Sequence, residues 1–458
     1  MNMLLPTSPF MNQFVIGLSS AGSTFRCTFS SPGNILLVAD STYQSRSLVL
    51  ASSSPSVFVP GDDRPSDSTT RQWRKKIAGV DQGELVDPFL LADSDSRFCE
   101  FGGVTIHHKI YDCNAESFPI ASSSTKCCFP FILLHGFGAS VFSWNSVVKP
   151  LSELTSSKVV AFDRPAFGLT SRSDWRTAAH LNPYSMEYSV FTTLYFIDSL
   201  TAEKAVLIGH SAGCMVAVNT YFEAPQRVAA LVLIAPAILA PNGSRKVVAG
   251  ASSESESHVK GNTVQKKGFS TLVLNGLSRC VEYIARVIIA TVKGIRDFII
   301  SVSQRVIVFI LSSAFGVMLI RVVIDKFGVA AVRSAWHDAN KVTQKVIHGY
   351  TKPLRVKGWD KALVDFVAAM VNYTDFKNRP SLSDRLHQIS CPVLIITGEN
   401  DRLVPLWNSK RLSQVIPGSC FEVIKQCGHL PHEEKAEEFI SAVDKFLQRN
   451  FSSSAETS

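Results

Sequence analysis

The ten cysteines of this 458-residue chain include no Cys-x-x-Cys pair and no Cys/His spacing of a zinc site, so neither a redox dithiol nor a metal is expected. They read as free thiols in a reducing compartment. Cys127 and Cys128 just precede an apolar run, and Cys214 and Cys391 sit beside apolar stretches, as small buried hydrophobes do. Charge is sparse as well, at 18% against 46% hydrophobic residues, which excludes global disorder and permits a substantial core. The formal charge is +8, yet Lys and Arg are scattered and lack the aromatic interleaving of a nucleic-acid groove. No nucleic-acid partner is expected.

The first sixty residues are short of acids and of arginine. They hold about a dozen serines, Arg26 and Arg46, and Asp40 as the single acid. Phe14 to Leu18 and Ile35 to Ala39 are too short for a secretory apolar segment. This composition predicts an organelle transit peptide over 1–60, chloroplast rather than mitochondrial because arginine is so scarce. A charged linker is expected over 61–92, with the folded chain starting near Asp93.

From there strand and helix patterns alternate. Phe98 to Tyr111 reads as a hairpin turning at Gly102-Gly103. Phe129 to Leu134, Lys158 to Phe162, Ala205 to Ile208, Val228 to Ile234, Val393 to Thr397 and Phe421 to Ile424 read as buried strands. Helices are expected over Val141 to Val148, Met186 to Leu200, Ala212 to Tyr221 and Glu433 to Leu447. That rhythm predicts an α/β fold, a mainly parallel twisted sheet flanked by helices, over 93–236 and 386–450. Between them, 237–385 breaks the rhythm and reads as an inserted helical cap. It opens with a polar, serine-rich flexible loop at 241–268, and a short disordered tail is expected at 451–458.

No apolar run in the cap is long. Val306 to Ile320 is free of charge between Arg305 and Arg321, but a membrane span needs roughly 20 residues. Upstream, Glu282, Arg286, Lys293, Asp297 and Gln304 recur at about helical spacing within Ile/Val-rich sequence. Such a partly basic, amphipathic pair suits either a lid over a substrate pocket or a helix pair lying on an anionic membrane surface. The two roles are compatible.

The chemistry-bearing residues lie at strand ends. Gly209-His210-Ser211-Ala212-Gly213 joins a buried strand to a helix, where a sharp turn with small neighbours can hold a serine nucleophile in strain. His135-Gly136-Phe137-Gly138 closes the first long buried strand. Acyl transfer builds an oxyanion that needs backbone N–H donors at such a strand end, and Phe137 and Ala212 are the expected pair. His135 reads as structural. Asp401 follows the strand at 393–397 and His429 the strand at 421–424, so the order Ser, Asp, His supplies nucleophile, orienting acid and base. Glu399, close to its strand, is a competing acid less able to reach across, and His432 reads as a first-turn helix residue.

With Asp163-Arg164-Pro165-Ala166-Phe167-Gly168, these motifs make Phe98 to Leu447 resemble the α/β-hydrolase superfamily, most closely the capped branch of epoxide hydrolases, esterases and carbon–carbon bond hydrolases. The resemblance implies that the Asp163–Gly168 loop supports the oxyanion strand and lines the site. Ser211 stands where epoxide hydrolases and haloalkane dehalogenases need Asp, which implies an ester-type substrate. The expected activity is therefore hydrolysis of a hydrophobic, lipid-like or terpenoid-like carboxylic ester or thioester, without cofactor. Carbon–carbon cleavage or acyl transfer by the same triad is an alternative, and a hydrolase-fold ligand receptor or scaffold is another.

Overall fold

The computed structural model describes residues 25–30, 36–41, 76–112, 129–172, 181–241, 269–372 and 381–451. The loop expected over 241–268 lies outside these apart from Pro241, as do Cys127, Cys128 and 452–458 of the tail. The chain divides into two units, Met1–Gln72 and Trp73–Ser458. In the first, Phe25–Ser30 pairs antiparallel with Leu36–Ser41, the rest of the expected transit segment lying outside the described residues.

The second unit is built on an eight-stranded sheet. Its strands are β1 (Arg97–Phe101), β2 (Val104–Tyr111), β3 (Phe131–Leu134), β4 (Val159–Phe162), β5 (Ala205–His210), β6 (Val228–Ile234), β7 (Val393–Gly398) and β8 (Cys420–Ile424). Across the sheet they run β8-β7-β6-β5-β3-β4-β2-β1. Strands β3 to β8 are mutually parallel, while β2 runs antiparallel to both β1 and β4. The α/β expectation holds, because the parallel strands β3 to β7 are buried on both faces, while β8 at the sheet edge exposes Glu422. Ile132, Leu134, Leu207, Leu231, Leu233 and Ile395 point into one core. Their alternates Phe131, Leu133, Val206, Ile208, Val232 and Ile396 point into the other. Helices α1 (Val148–Thr155), α2 (Met186–Ser199) and α3 (Ala212–Glu223) follow β3, β4 and β5. Helix α3, with Cys214, Val216 and Ala217, packs on the first face, and α1 with Leu151 packs on the second.

The inserted helices are α4 (Phe269–Leu311), α5 (Ala314–Ala335), α6 (Gln344–Thr351) and α7 (Trp359–Asn372). Helices α8 (Leu406–Val415) and α9 (Ala436–Phe451) complete the core.

Three sequence expectations need correction. The stretch assigned to a linker is folded from residue 76: Lys76–Ile77 pairs with Val80–Asp81, and Ile77 is buried with Trp359 and Phe366 of the insertion. The Ala78 N–H donates to Asp325 at 3.0 Å and Trp359 Nε1 to Gln82 at 3.0 Å, so this segment is a strap on the cap helices. Second, the helix expected over Val141 to Val148 is a 3-10 turn at Val141–Trp144, with α1 beginning only at Val148. Ser140 caps that turn, and burial of Val141 and Trp144 holds it. Third, Ile238 and Ala240 belong to the core rather than the cap, since both are buried against it and Asn408 bonds Ile238 O and Ala240 N.

Candidate active site

The chain visits β3, then β4 on one side of it, then β5 on the other. Helices α1 and α3 accordingly lie on opposite faces of the sheet, and the carboxyl ends of β3 and β5 form a topological switch point, the place where open α/β sheets bind ligands. Leu134 pairs in register with Gly209, so His135-Gly136-Phe137 and His210-Ser211-Ala212 leave the sheet side by side. A Cβ on Gly136 would lie 3.2 Å from Ser211 Cβ and 2.8 Å from His210 Nδ1. The two motifs meet.

Ser211 has φ 50° and ψ −115°, a conformation that a non-glycine residue enters only under constraint. Three backbone bonds impose it. The Ser211 N–H donates to Ile234 O at 2.8 Å, and Ser211 O accepts from Cys214 N and Ala237 N at 3.1 and 3.2 Å. Strand and helix cross here too closely for side chains. A Cβ on Gly209 would sit 2.7 Å from the Cys214 backbone, and one on Gly213 would overlap Leu134 O. Ala212 is the first residue of α3, so its N–H has no acceptor within that helix.

His429 and Asp401 are joined at 2.8 Å, His429 Nδ1 donating to Asp401 Oδ2. The other carboxylate oxygen accepts from Leu403 N at 2.8 Å and Val404 N at 2.9 Å, with the Asp401 side chain fully buried. Pairing through Nδ1 leaves Nε2 on the side of the ring away from Asp401. Glu399 is exposed and accepts from Gln426 N at 3.3 Å instead. The ring of His429 lies 4.9 Å from that of His210, and its backbone O accepts from His210 Nε2 at 3.0 Å.

The remaining histidines of the motifs are structural in their contacts. His135 Nδ1 donates to Gly136 O at 2.8 Å, its Nε2 accepts from Arg164 N at 3.0 Å, and burial helped by the Arg164 charge pulls its pKa to about 4. His432 is fully buried between Trp144 at 4.4 Å and His210 at 4.7 Å, and neither ring nitrogen has a hydrogen-bond partner. Burial, then the neighbouring His429, lowers its pKa to about 3, so it stays neutral. Asp163 ties the segment after β3 to the loop after β4: its carboxylate accepts from Val141 N, Leu169 N and His107 Nδ1, each at 2.7 Å. Burial alone would raise its pKa, but the His107 interaction outweighs this and holds it at about 2.

Above the turn, Phe137 is half exposed and borders Phe167 at 5.5 Å and Phe366 of α7 at 6.0 Å. The buried Arg164 guanidinium lies 5.3 Å from the Phe366 ring. These contacts make an apolar wall between core and insertion.

One feature the motifs did not announce is the clamp on the His429 loop. The carbonyl of Ala335, at the end of α5, accepts from His429 N at 2.6 Å. Glu434 accepts from Gly428 N at 2.7 Å, from His337 N at 3.0 Å and from Asp338 N at 3.3 Å. The insertion thus holds the histidine loop directly. Glu434 stands in the string Gly428-His429-Leu430-Pro431-His432-Glu433-Glu434, but only long-range contacts reveal its partners.

The chain belongs to the alpha/beta hydrolase family, whose model matches residues 131–442. It is similar to the uncharacterized hydrolase YugF of Bacillus subtilis, 22% identical over 317 residues that cover 69% of this chain and 89% of that protein. A 2-hydroxy-6-oxononadienedioate/2-hydroxy-6-oxononatrienedioate hydrolase of Pseudomonas putida is 44% identical over 69 residues, 15% of this chain and 24% of that protein. Among solved structures, an esterase from Thermogutta terrifontis superposes with a TM-score of 0.48 at 16% identity, covering 78% of this chain and 99% of that one.

Proposed function

We propose that the protein is a serine hydrolase that cleaves a carboxylic ester or thioester of a hydrophobic substrate through an acyl-enzyme. The observations that carry this reading are Ser211 held at φ 50° next to His210, whose ring lies 4.9 Å from that of His429, and the hydrogen bond of His429 Nδ1 with Asp401. His429 Nε2 takes the Ser211 proton as Oγ attacks the substrate carbonyl. The N–H groups of Phe137 and Ala212 stabilise the oxyanion. His429 then protonates the leaving group, and water, activated by the same imidazole, releases the acid and restores Ser211. Asp401 stabilises the imidazolium at each step.

The aromatic wall of Phe137, Phe167 and Phe366 supports a hydrophobic acyl group. A panel of p-nitrophenyl esters tests this: kcat/KM should rise with acyl length, and Ser211→Ala should lower turnover by up to about 10⁶-fold. Equal turnover by Ser211→Ala would overturn the assignment. Carbon–carbon cleavage uses the same triad and is favoured by the dienedioate hydrolase similarity over 69 residues; release of an enol product from a vinylogous diketone, with esters inert, would select it. The composition of 1–60 supports a chloroplast destination, which a fluorescent fusion retained in the cytosol would exclude.

A further inference from the structure

Helix α4 turns polar residues inward and apolar residues outward, and α5 carries apolar residues on both sides. On α4, the residues turned toward the protein are Asp297, Ser301, Gln304, Val308 and Leu311, mostly polar and at helical spacing. Gln304 even spends its amide on Val371 O of α7. Facing away from the protein are Ile295, Phe298, Ile299, Val302, Val306 and Phe309, with Phe298 69% and Phe309 77% exposed. Helix α5 packs Ile320 and Ile324 inward. Its Arg321 turns in to pair with Asp360 at 2.8 Å and its Asp325 accepts from Ala78 N, while Phe315, Met318, Leu319, Val322, Val323 and Phe327 face out. A soluble helix puts its apolar stripe on the core and its charges in water. Here inward polar groups tie both helices to the protein, and an apolar stripe is left over on each.

The two exposed stripes are consecutive in the chain. They meet at Ser312–Ser313, where the chain bends by 77°, and Ser313 caps α5 by accepting from Gly316 N. No single described helix is long and apolar enough to cross a bilayer, and the bent pair 290–335 passes that test only when both arms are taken together. Large apolar side chains left exposed together along two successive helices mark an interaction face. Exposed Lys293, Arg296, Arg305, Lys326 and Arg333 accompany it, against Asp297 and Asp325 as the acids of the described pair. Arg296 and Lys326 lie next to those two acids, leaving a positive balance along both arms.

We propose that this face docks the protein on a bilayer surface carrying anionic lipid headgroups, the Phe298, Phe309, Phe315 and Phe327 side chains entering the acyl boundary of one leaflet and the cations contacting phosphates. The excess of cations fits such a surface and opposes pairing of two like copies. Docking also has a route to the candidate site. The inner side of α5 places Ile320 and Ile324 against the cluster of Phe167 and Phe366, and its last carbonyl holds His429 N. Resting on the hydrolase reading above, the lipid face and the serine site are therefore opposite sides of one helix, and the substrate is an ester drawn from the membrane.

Flotation of the full chain with phosphatidylcholine vesicles, with and without phosphatidylglycerol, tests the docking surface. The intact chain should float with the anionic vesicles and be released at high salt. Replacing Phe298, Phe309, Phe315 and Phe327 by Ser should reduce binding at least about tenfold. So should neutralising Lys293, Arg305, Lys326 and Arg333 to Gln, in that case with loss of the anionic preference. Turnover of a short soluble ester should be unchanged in both variants, which separates failure of docking from failure of the hydrolase reading. Absence of flotation by the intact chain, or equal flotation by the serine variant, would overturn the proposal. A dimer seen by sedimentation without vesicles, and lost in the serine variant, would assign the face to a second copy instead.

Discussion

Glu434 should matter to turnover although it carries no part of the proposed chemistry. Its carboxylate accepts three backbone N–H groups, those of Gly428, His337 and Asp338, in partly buried positions. Glu434→Ala strips all three of their acceptor. At about 1 kcal/mol each once water enters, the fold loses about 3 kcal/mol. Glu434→Gln keeps one acceptor oxygen and places a donor amide where the other stood, so it should cost about half as much. Gly428 precedes His429, and a displacement of about 1 Å at a reacting group costs about 100-fold in rate. The Ala variant should therefore lose about 100-fold in kcat on a short p-nitrophenyl ester with little change in KM, and Gln should recover part of it. Urea unfolding and steady-state kinetics on the same preparations separate the two effects. Wild-type kcat in a destabilised Glu434→Ala protein would refute positioning and leave a merely structural clamp.

Burial raises the Glu433 pKa to about 8 against the opposing Tyr350 hydrogen bond, so the folded state holds a proton that the unfolded chain releases at about 4.5. Stability should be greatest below that lower value, fall as pH rises through the window, and level off above about 8, by at most about 5 kcal/mol. Glu433→Gln should flatten that profile in thermal unfolding followed from pH 5 to 9, and a variant with the parental slope would exclude Glu433 as its source. Asp401→Asn should lower kcat by about 10⁴-fold by releasing the imidazole tautomer. His432→Ala should retain base catalysis, and the reverse pattern would move the base to His432.

The sheet was legible because its central strands are apolar on both faces, so Val228 to Ile234 stands out as a run and its limits are recovered in β6. The site motifs were legible for a related reason. Gly209 and Gly213 are demanded by crossings that leave no room for a Cβ, and such residues mark the turn in the string itself. Elements fixed by distant partners were not legible. Lys76–Ile77 and Val80–Asp81 are two-residue strands without periodicity, and only the contact of Ile77 with Trp359 and Phe366 makes them structural. Helix α8 is polar over most of its length and showed no apolar stripe to read. The Ala335 carbonyl on His429 N joins residues almost a hundred positions apart through backbone atoms, which no side-chain pattern can announce. In α4 the polar spacing of Asp297 and Gln304 was visible, but that this stripe faces inward was set by α7.

The central claim is that Ser211 is the nucleophile, held in strain at the end of β5 and activated through His429. Its most direct measurement is reaction of the full chain with a fluorophosphonate probe, the adduct located by peptide mass spectrometry. A single phosphonylated residue, Ser211, is expected, with labelling lost in Ser211→Ala and strongly slowed in His429→Ala. Labelling that persists at another residue in Ser211→Ala, or an unreactive parent protein that still turns over esters, would contradict it.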